Sequence, residues 1–238
     1  MSLAENISRV QERMAAASLR SGRKPEEVTL MAVSKTFPPE QIREAYDSGL
    51  RIFGENRVQE FAEKIVALSD LRDAEWHMIG HLQTNKAIPA AELFSHIDSV
   101  SSVRLARRLN SAASGLGKKL SVLIEIKIGG EAAKSGVPPE FLELQDLLNA
   151  APELPFLDFR GLMTVPPYSH DPEQSRPYFR KMRELFQHIA RRRLPAVRME
   201  ILSMGMSHDY DVAIEEGATC IRIGTAIFGE RESPGNKL

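Results

Sequence analysis

The chain has 238 residues, 42% of them hydrophobic and 26% charged, with a formal net charge of -1. That composition excludes a disordered or fibrous chain and leaves no global field to recruit nucleic acid or an anionic membrane. The single cysteine, Cys220, excludes an intramolecular disulfide and accords with a reducing cytoplasm.

In chain order, the first predicted element is a helix. Leu3, Ile7, Val10 and Met14 recur at helical spacing, and Ser21-Gly22 ends the pattern. Charges run through this segment, so it lacks the apolar core of a signal peptide, and no apolar run in the chain is long enough to span a bilayer. Strand-like runs follow at residues 28–34, 51–53, 75–79, 94–97, 121–127, 157–164, 198–203 and 219–223. Helical patterns such as "PEQIREAYDSG", "SVRLARRLNSAASG", "PPEFLELQDLLNAAP" and "SRPYFRKMRELFQHIARRR" lie between them. Arg191 to Arg193 close the last of these and read as a solvated helix end. Eight strands alternating with helices predict an α/β fold, a single (β/α)8 TIM barrel over residues 1–238 with an extra N-terminal helix. The rival is an open doubly wound sheet. A dinucleotide-binding sheet of that kind would place G-x-G-x-x-G after its first strand, where this chain reads "SKTFPP".

Barrel active sites lie at the C-terminal ends of the strands. The first strand ends at Lys35, and Pro38-Pro39 cut it off. A desolvated lysine suits Schiff-base chemistry, although a lone lysine at a strand end reads first as a cation snorkelling to solvent. The loops after the last two strands, "SMGMSHD" and "RIGTAIFG", have the makings of a phosphate site, and equally of two ordinary turns. Gly205 lets backbone approach a ligand, Ser207 and Asp209 are candidates to cap the next helix, and Gly224 and Thr225 offer N–H groups and a hydroxyl to an anion. By strand alternation Cys220, Arg222 and Gly224 face the barrel interior, and Ile221 and Ile223 face the helices. An interior arginine needs a carboxylate or a ligand. A phosphorylated aldehyde would satisfy the set: either pyridoxal 5'-phosphate (PLP), or the sugar phosphate of a Schiff-base aldolase.

His77 and His81 are spaced HxxxH, but across a strand and a turn they do not share a face, and no metal site is expected. His77 is expected on the barrel lining, hydrogen-bonded near a ligand ring. Cys220 is expected to be an inert core thiol, and Trp76 part of the core or barrel wall.

The motifs "AVSKTFP", "FGENRVQE", "WHMIGHLQTNK", "EAAKSG", "GLMTVPP" and "LSMGMSHDYDVAIEEGATCIRIGTAIFG", taken in order, resemble the YggS/PROSC family of PLP homeostasis proteins from about residue 3 to about residue 230. That family resembles the barrel domain of alanine racemase and ornithine decarboxylase. The resemblance implies PLP held as a Schiff base on Lys35, with Asn56 near the ring and Arg222 facing the pyridine nitrogen. It implies a phosphate cradle of Ser203, Gly205, Gly224 and Thr225. It further implies a cytoplasmic, monomeric PLP-binding protein of vitamin B6 and amino-acid homeostasis, which passes PLP to PLP-dependent apo-enzymes without established turnover. The alternative is a weak amino-acid racemase. In the racemases the opposing tyrosine comes from a second domain, which a chain ending at Leu238 is expected to lack. One departure is Lys127, where the family usually has asparagine; pointed into the mouth, it would place a second cation near the cofactor.

Overall fold

The computed structural model describes residues 2–129, 136–139 and 142–230. The elements run α1 (Leu3–Arg20), β1 (Thr29–Val33), α2 (Pro39–Asp47), β2 (Ile52–Glu55), α3 (Val58–Lys64), β3 (Glu75–Met78), α4 (Ala87–Leu93), β4 (His96–Val100) and α5 (Val103–Gly115). They continue with β5 (Leu120–Glu125), α6 (Leu142–Ala150), β6 (Leu157–Met163), α7 (Arg176–Arg192), β7 (Val197–Ser203), α8 (Tyr210–Glu215), β8 (Cys220–Ile223) and α9 (Thr225–Phe228). All strands are parallel, each pairs with the next, and β8 returns to β1 to close the barrel. The closure decides against the open sheet. In the "EAAKSG" motif, Glu131, Lys134 and Ser135 lie outside the described residues, while Gly136 lies within them.

Parallel strands covered on both faces bury two sets of side chains. One set, including Ala32, Phe53, Trp76, Ile97, Phe159 and Ile221, packs outward into a continuous apolar core beneath the helices. Phe53, Trp76, Phe61 and Phe94 form an aromatic chain in it, with ring centroids 4.8 to 5.1 Å apart. The opposite set faces the lumen and carries the polar residues, among them His77, Asp98, Ser203 and Arg222, all buried. Register supports this division: Met31 lies opposite Arg222 and Thr29 opposite Cys220, and laterally paired residues of parallel strands share a face.

The fourth strand departs from its predicted span of 94–97 and runs over His96–Val100. Phe94 is a buried residue at the end of α4, its N–H bonded to Ala90 O at 2.9 Å. Asp98 and Ser99 hid the strand's second half, because they are buried polar residues that interrupt the apolar run between Ile97 and Val100. At the N-terminus Ser2 and Glu5 form a capping box that starts α1. This helix lies over α8 and α9: Asn6 Nδ2 donates to Ile227 O at 3.0 Å, and Arg13 pairs with Asp211 at 2.8 Å.

Candidate functional site

The closing seam between β1 and β8 assembles residues from both ends of the chain. Ala32 is paired with Ile223, so the next residues, Val33 and Gly224, are neighbours at the C-terminal rim. A Cβ on Gly224 would stand 3.6 Å from Val33 Cβ. Lys35 follows in a turn and is half-buried, and Thr225, exposed, follows Gly224 as the first residue of α9. Thr36 has φ 68°, a left-handed value that β-branched residues rarely adopt. The turn is held by its partners: Thr36 N–H donates to the Glu60 carboxylate, Phe37 N–H to Ser34 O at 3.2 Å, and the Phe37 ring stacks on Phe228 at 4.7 Å.

Ser207 completes this corner. Its hydroxyl accepts from the N–H groups of Gly224 and Ala226, both at 3.3 Å. Those bonds are at the long end for N–H donors. Ser207 thus bridges the βα7 loop to the start of α9 and does not cap α8. Asp209 stands at the expected N-cap position of α8, but its side chain caps no helix N–H and accepts instead from Met206 N at 2.8 Å and Ser175 Oγ at 3.0 Å. Gly205 has φ 92°, and a Cβ there would lie 2.5 Å from Ala213 Cβ. Its missing side chain therefore makes room for α8.

Arg222 is 4% exposed and lies below the rim in the lumen. Its Nη1 donates to Ser203 Oγ at 2.6 Å and its Nη2 to the Thr164 carbonyl at 2.7 Å. Both acceptors are neutral, and among the described residues no carboxylate lies within ion-pair distance of it. Burial pushes its affinity for the proton down, partly countered by Cys220 and then by the charges of Asp98, Asp209 and Glu125. A buried guanidinium with two neutral acceptors has donor capacity to spare. Cys220, on the same strand face, is buried, and burial pushes its thiol up to about 12.

An ionic cluster that sequence patterning missed lies on the helix-facing side of β1 and β2, where Glu55 follows the outward Phe53 by two residues. Lys64, at the end of α3, sends its ammonium under the Lys35 turn, donating to Glu60 Oε1 at 2.6 Å and Ser34 O at 3.2 Å. It also lies 3.3 Å from Glu55 Oε1, and Ser34 Oγ donates to that same oxygen at 2.7 Å. Burial pushes the Glu55 carboxyl up, partly offset by the Lys64 charge. Helical spacing from Glu60 to Lys64 was the available signal, but it gives no hint of burial. Asn56 follows Glu55 directly. Gly80, after β3, allows the Asn56 backbone in: a Cβ at Gly80 would stand 2.3 Å from Asn56 O. His81 lies on this rim with Asn56, apart from His77. Lys127 lines a separate groove against α7, with Lys181 and His188.

A second cavity, of about 500 Å³, opens between the N-terminal ends of the strands. His77 lines it, and its partner is Asp98 at 3.0 Å, not a group at the rim. Burial disfavours a proton on His77, but the Asp98 charge and hydrogen bond outweigh it and raise the group to about 9. Burial and the neighbouring His77 lower His96 to about 4.

The family described as alanine racemase, N-terminal domain, matches residues 2–232. The pyridoxal phosphate homeostasis protein of Aquifex aeolicus is 49% identical over 98% of this chain and 100% of its own. PipY of Synechococcus elongatus, a structure with PLP bound, is 39% identical, superposes with a TM-score of 0.83, and covers 96% of this chain and 100% of its own. Alanine racemase of Clostridium difficile has the same fold, with a TM-score of 0.71 at 16% identity, over 98% of this chain and 57% of the racemase. The chain therefore belongs to the alanine racemase N-terminal domain family and, within it, to the pyridoxal phosphate homeostasis proteins.

Proposed function

We propose that this chain binds PLP at the C-terminal mouth of the barrel, as a single-domain carrier that serves PLP and amino-acid homeostasis without turning over substrate. The observation that carries the reading is Arg222: a lumen cation with two neutral acceptors and spare donors, directly below the seam that bears Lys35 and Thr225. Lys35 would hold PLP there through its amine, and the bound cofactor would supply the aldehyde for that attachment. The Gly224 and Ala226 N–H groups, weakly held by Ser207, together with the Thr225 hydroxyl, are suited to a phosphate. Ser203 holds Arg222 toward the lumen, Asn56 borders the ring from β2, and Gly205 shapes the loop between them.

An arginine facing the ring nitrogen disfavours its protonation and weakens the ring as an electron sink. That supports carriage over racemisation. A racemase also needs a proton donor on each face of the substrate. Tyr46 is bonded to Asp73 and Tyr210 is buried near Arg13, so neither serves. Tyr168, exposed beside His208 with ring centroids 5.7 Å apart, and Tyr178, half-buried beside Gly129, are the phenols that keep weak racemisation as the second reading. The described residues contain no helix long and apolar enough to cross a membrane. The carrier reading takes the chain as a cytoplasmic monomer that hands PLP to apo-enzymes.

The test is borohydride reduction of the PLP-loaded chain, followed by peptide mass spectrometry. A pyridoxyl group on Lys35, and loss of the visible absorbance in Lys35→Ala, are expected. Modification confined to other lysines would overturn the site, and sustained racemisation of alanine at ordinary enzyme rates would overturn the carrier reading.

A further inference from the structure

The lower cavity holds a second set of chemistry-bearing groups, which PLP binding does not use. Glu75 opens β3, His77 lies two residues on, and His96 opens β4, in register beside His77. One ligand atom from each lies within 4.8 Å of the others. Both imidazoles are engaged through Nδ1: His77 with Asp98 at 3.0 Å and His96 with Ser95 Oγ at 2.9 Å. Their Nε2 atoms stand 3.9 and 3.8 Å from the same oxygen, Glu75 Oε2, too far for hydrogen bonds. His77 is 7% exposed, and its Nε2 is fully buried with no hydrogen-bond partner among the described residues. A buried nitrogen whose nearest acceptor stands beyond hydrogen-bond distance is costly unless something occupies the space before it.

We propose that Glu75, His77 and His96 form a divalent metal site of the zinc class, with a fourth position open to the lower cavity. Two imidazoles and one carboxylate are the donor set of open, three-ligand zinc sites, and imidazole disfavours calcium and magnesium. Asp98 supplies the outer carboxylate that fixes the tautomer of a metal-bound histidine and aims its Nε2. Bonds of about 2.0–2.1 Å put tetrahedral ligand edges near 3.4 Å, so the two edges to Glu75 must close by about half an ångström. The rings now stack with planes 9° apart and centroids 4.0 Å apart, and one ion on both Nε2 atoms requires them to splay. His96 has room for that, being half-buried on the cavity wall and hydrogen-bonded, among the described residues, just to the adjacent Ser95. Glu75 is exposed, which leaves an entry path for the ion.

The experiment is calorimetric titration of Zn²⁺ into the metal-stripped full chain, with Co²⁺ absorption as a geometric readout. Saturable one-to-one binding is expected, with the visible bands of four-coordinate cobalt. Glu75→Gln and His96→Gln should each weaken binding at least tenfold at unchanged melting temperature, and His81→Gln should leave it unchanged. Glu75 is exposed, so its variant folds whatever the fate of the histidine variant. Absence of saturable binding, or wild-type affinity in both Glu75→Gln and His96→Gln, would overturn the site.

Discussion

Arg222 Nη1 lies 2.6 Å from Ser203 Oγ, a bond that ties the interior of β8 to the last residue of β7. Replacing Arg222 by alanine removes the cation and leaves the buried Ser203 hydroxyl and Thr164 carbonyl without their donor. Unpaired buried groups cost about 1–3 kcal/mol. Urea unfolding should register that loss, and PLP affinity followed by absorbance should fall at least tenfold. An unchanged affinity would remove Arg222 from the cofactor's surroundings.

Lys64 is a buried cation among Glu55, Glu60 and Ser34. Lys64→Ala strands the Glu55 carboxylate, and breaking one partner of such a pair costs about 3–5 kcal/mol. The double variant Lys64→Met/Glu55→Gln should recover much of that in the same unfolding measurement. Because Ser34 precedes Lys35, the single variant should also broaden or shift the absorbance of bound PLP.

Gly80 presses against Asn56, and its substitution tests how tightly that loop is set. In Gly80→Ala the new methyl meets backbone at 2.3 Å, which a side-chain rotation cannot relieve. Overpacking of this kind costs about 1–3 kcal/mol. The Asn56 loop must shift, so weaker PLP retention should accompany the lower melting temperature. Gly115→Ala, with open space at its Cβ, is the control.

Glu216 gives the stability a pH dependence. It is 4% exposed, and burial by itself pushes its carboxyl up. Hydrogen bonds from Arg180 and Arg176, both at 3.1 Å, outweigh burial and hold it below the ordinary carboxylate value of 4.5. A folded pKa below the unfolded one means stabilisation that is present above the unfolded value and lost as pH falls through the folded one. Glu216→Gln should therefore lower the melting temperature at neutral pH. It should also flatten the decline of the melting temperature in acid, below about pH 4.5. Parallel curves for the two proteins would contradict this.

The sequence by itself determined the strand-and-helix alternation, the place where β1 stops, and which face of β8 carries Arg222. These are local properties: period-two alternation sets a face, and the Pro38-Pro39 pair begins α2 and leaves Lys35 at the rim. The fourth strand was the exception, because the buried polar residues Asp98 and Ser99 break its apolar signal between Ile97 and Val100. Tertiary structure alone decided that β8 closes on β1, which brings Gly224 beside Val33. It also decided that Ser207 reaches α9, that Lys64 is buried, and that His77 pairs with Asp98 and His96 and lies apart from His81. Each of these joins residues whose separation along the chain has no period. Only the closure and tilt of the barrel fix which strand ends meet, and hence which polar groups share a buried space.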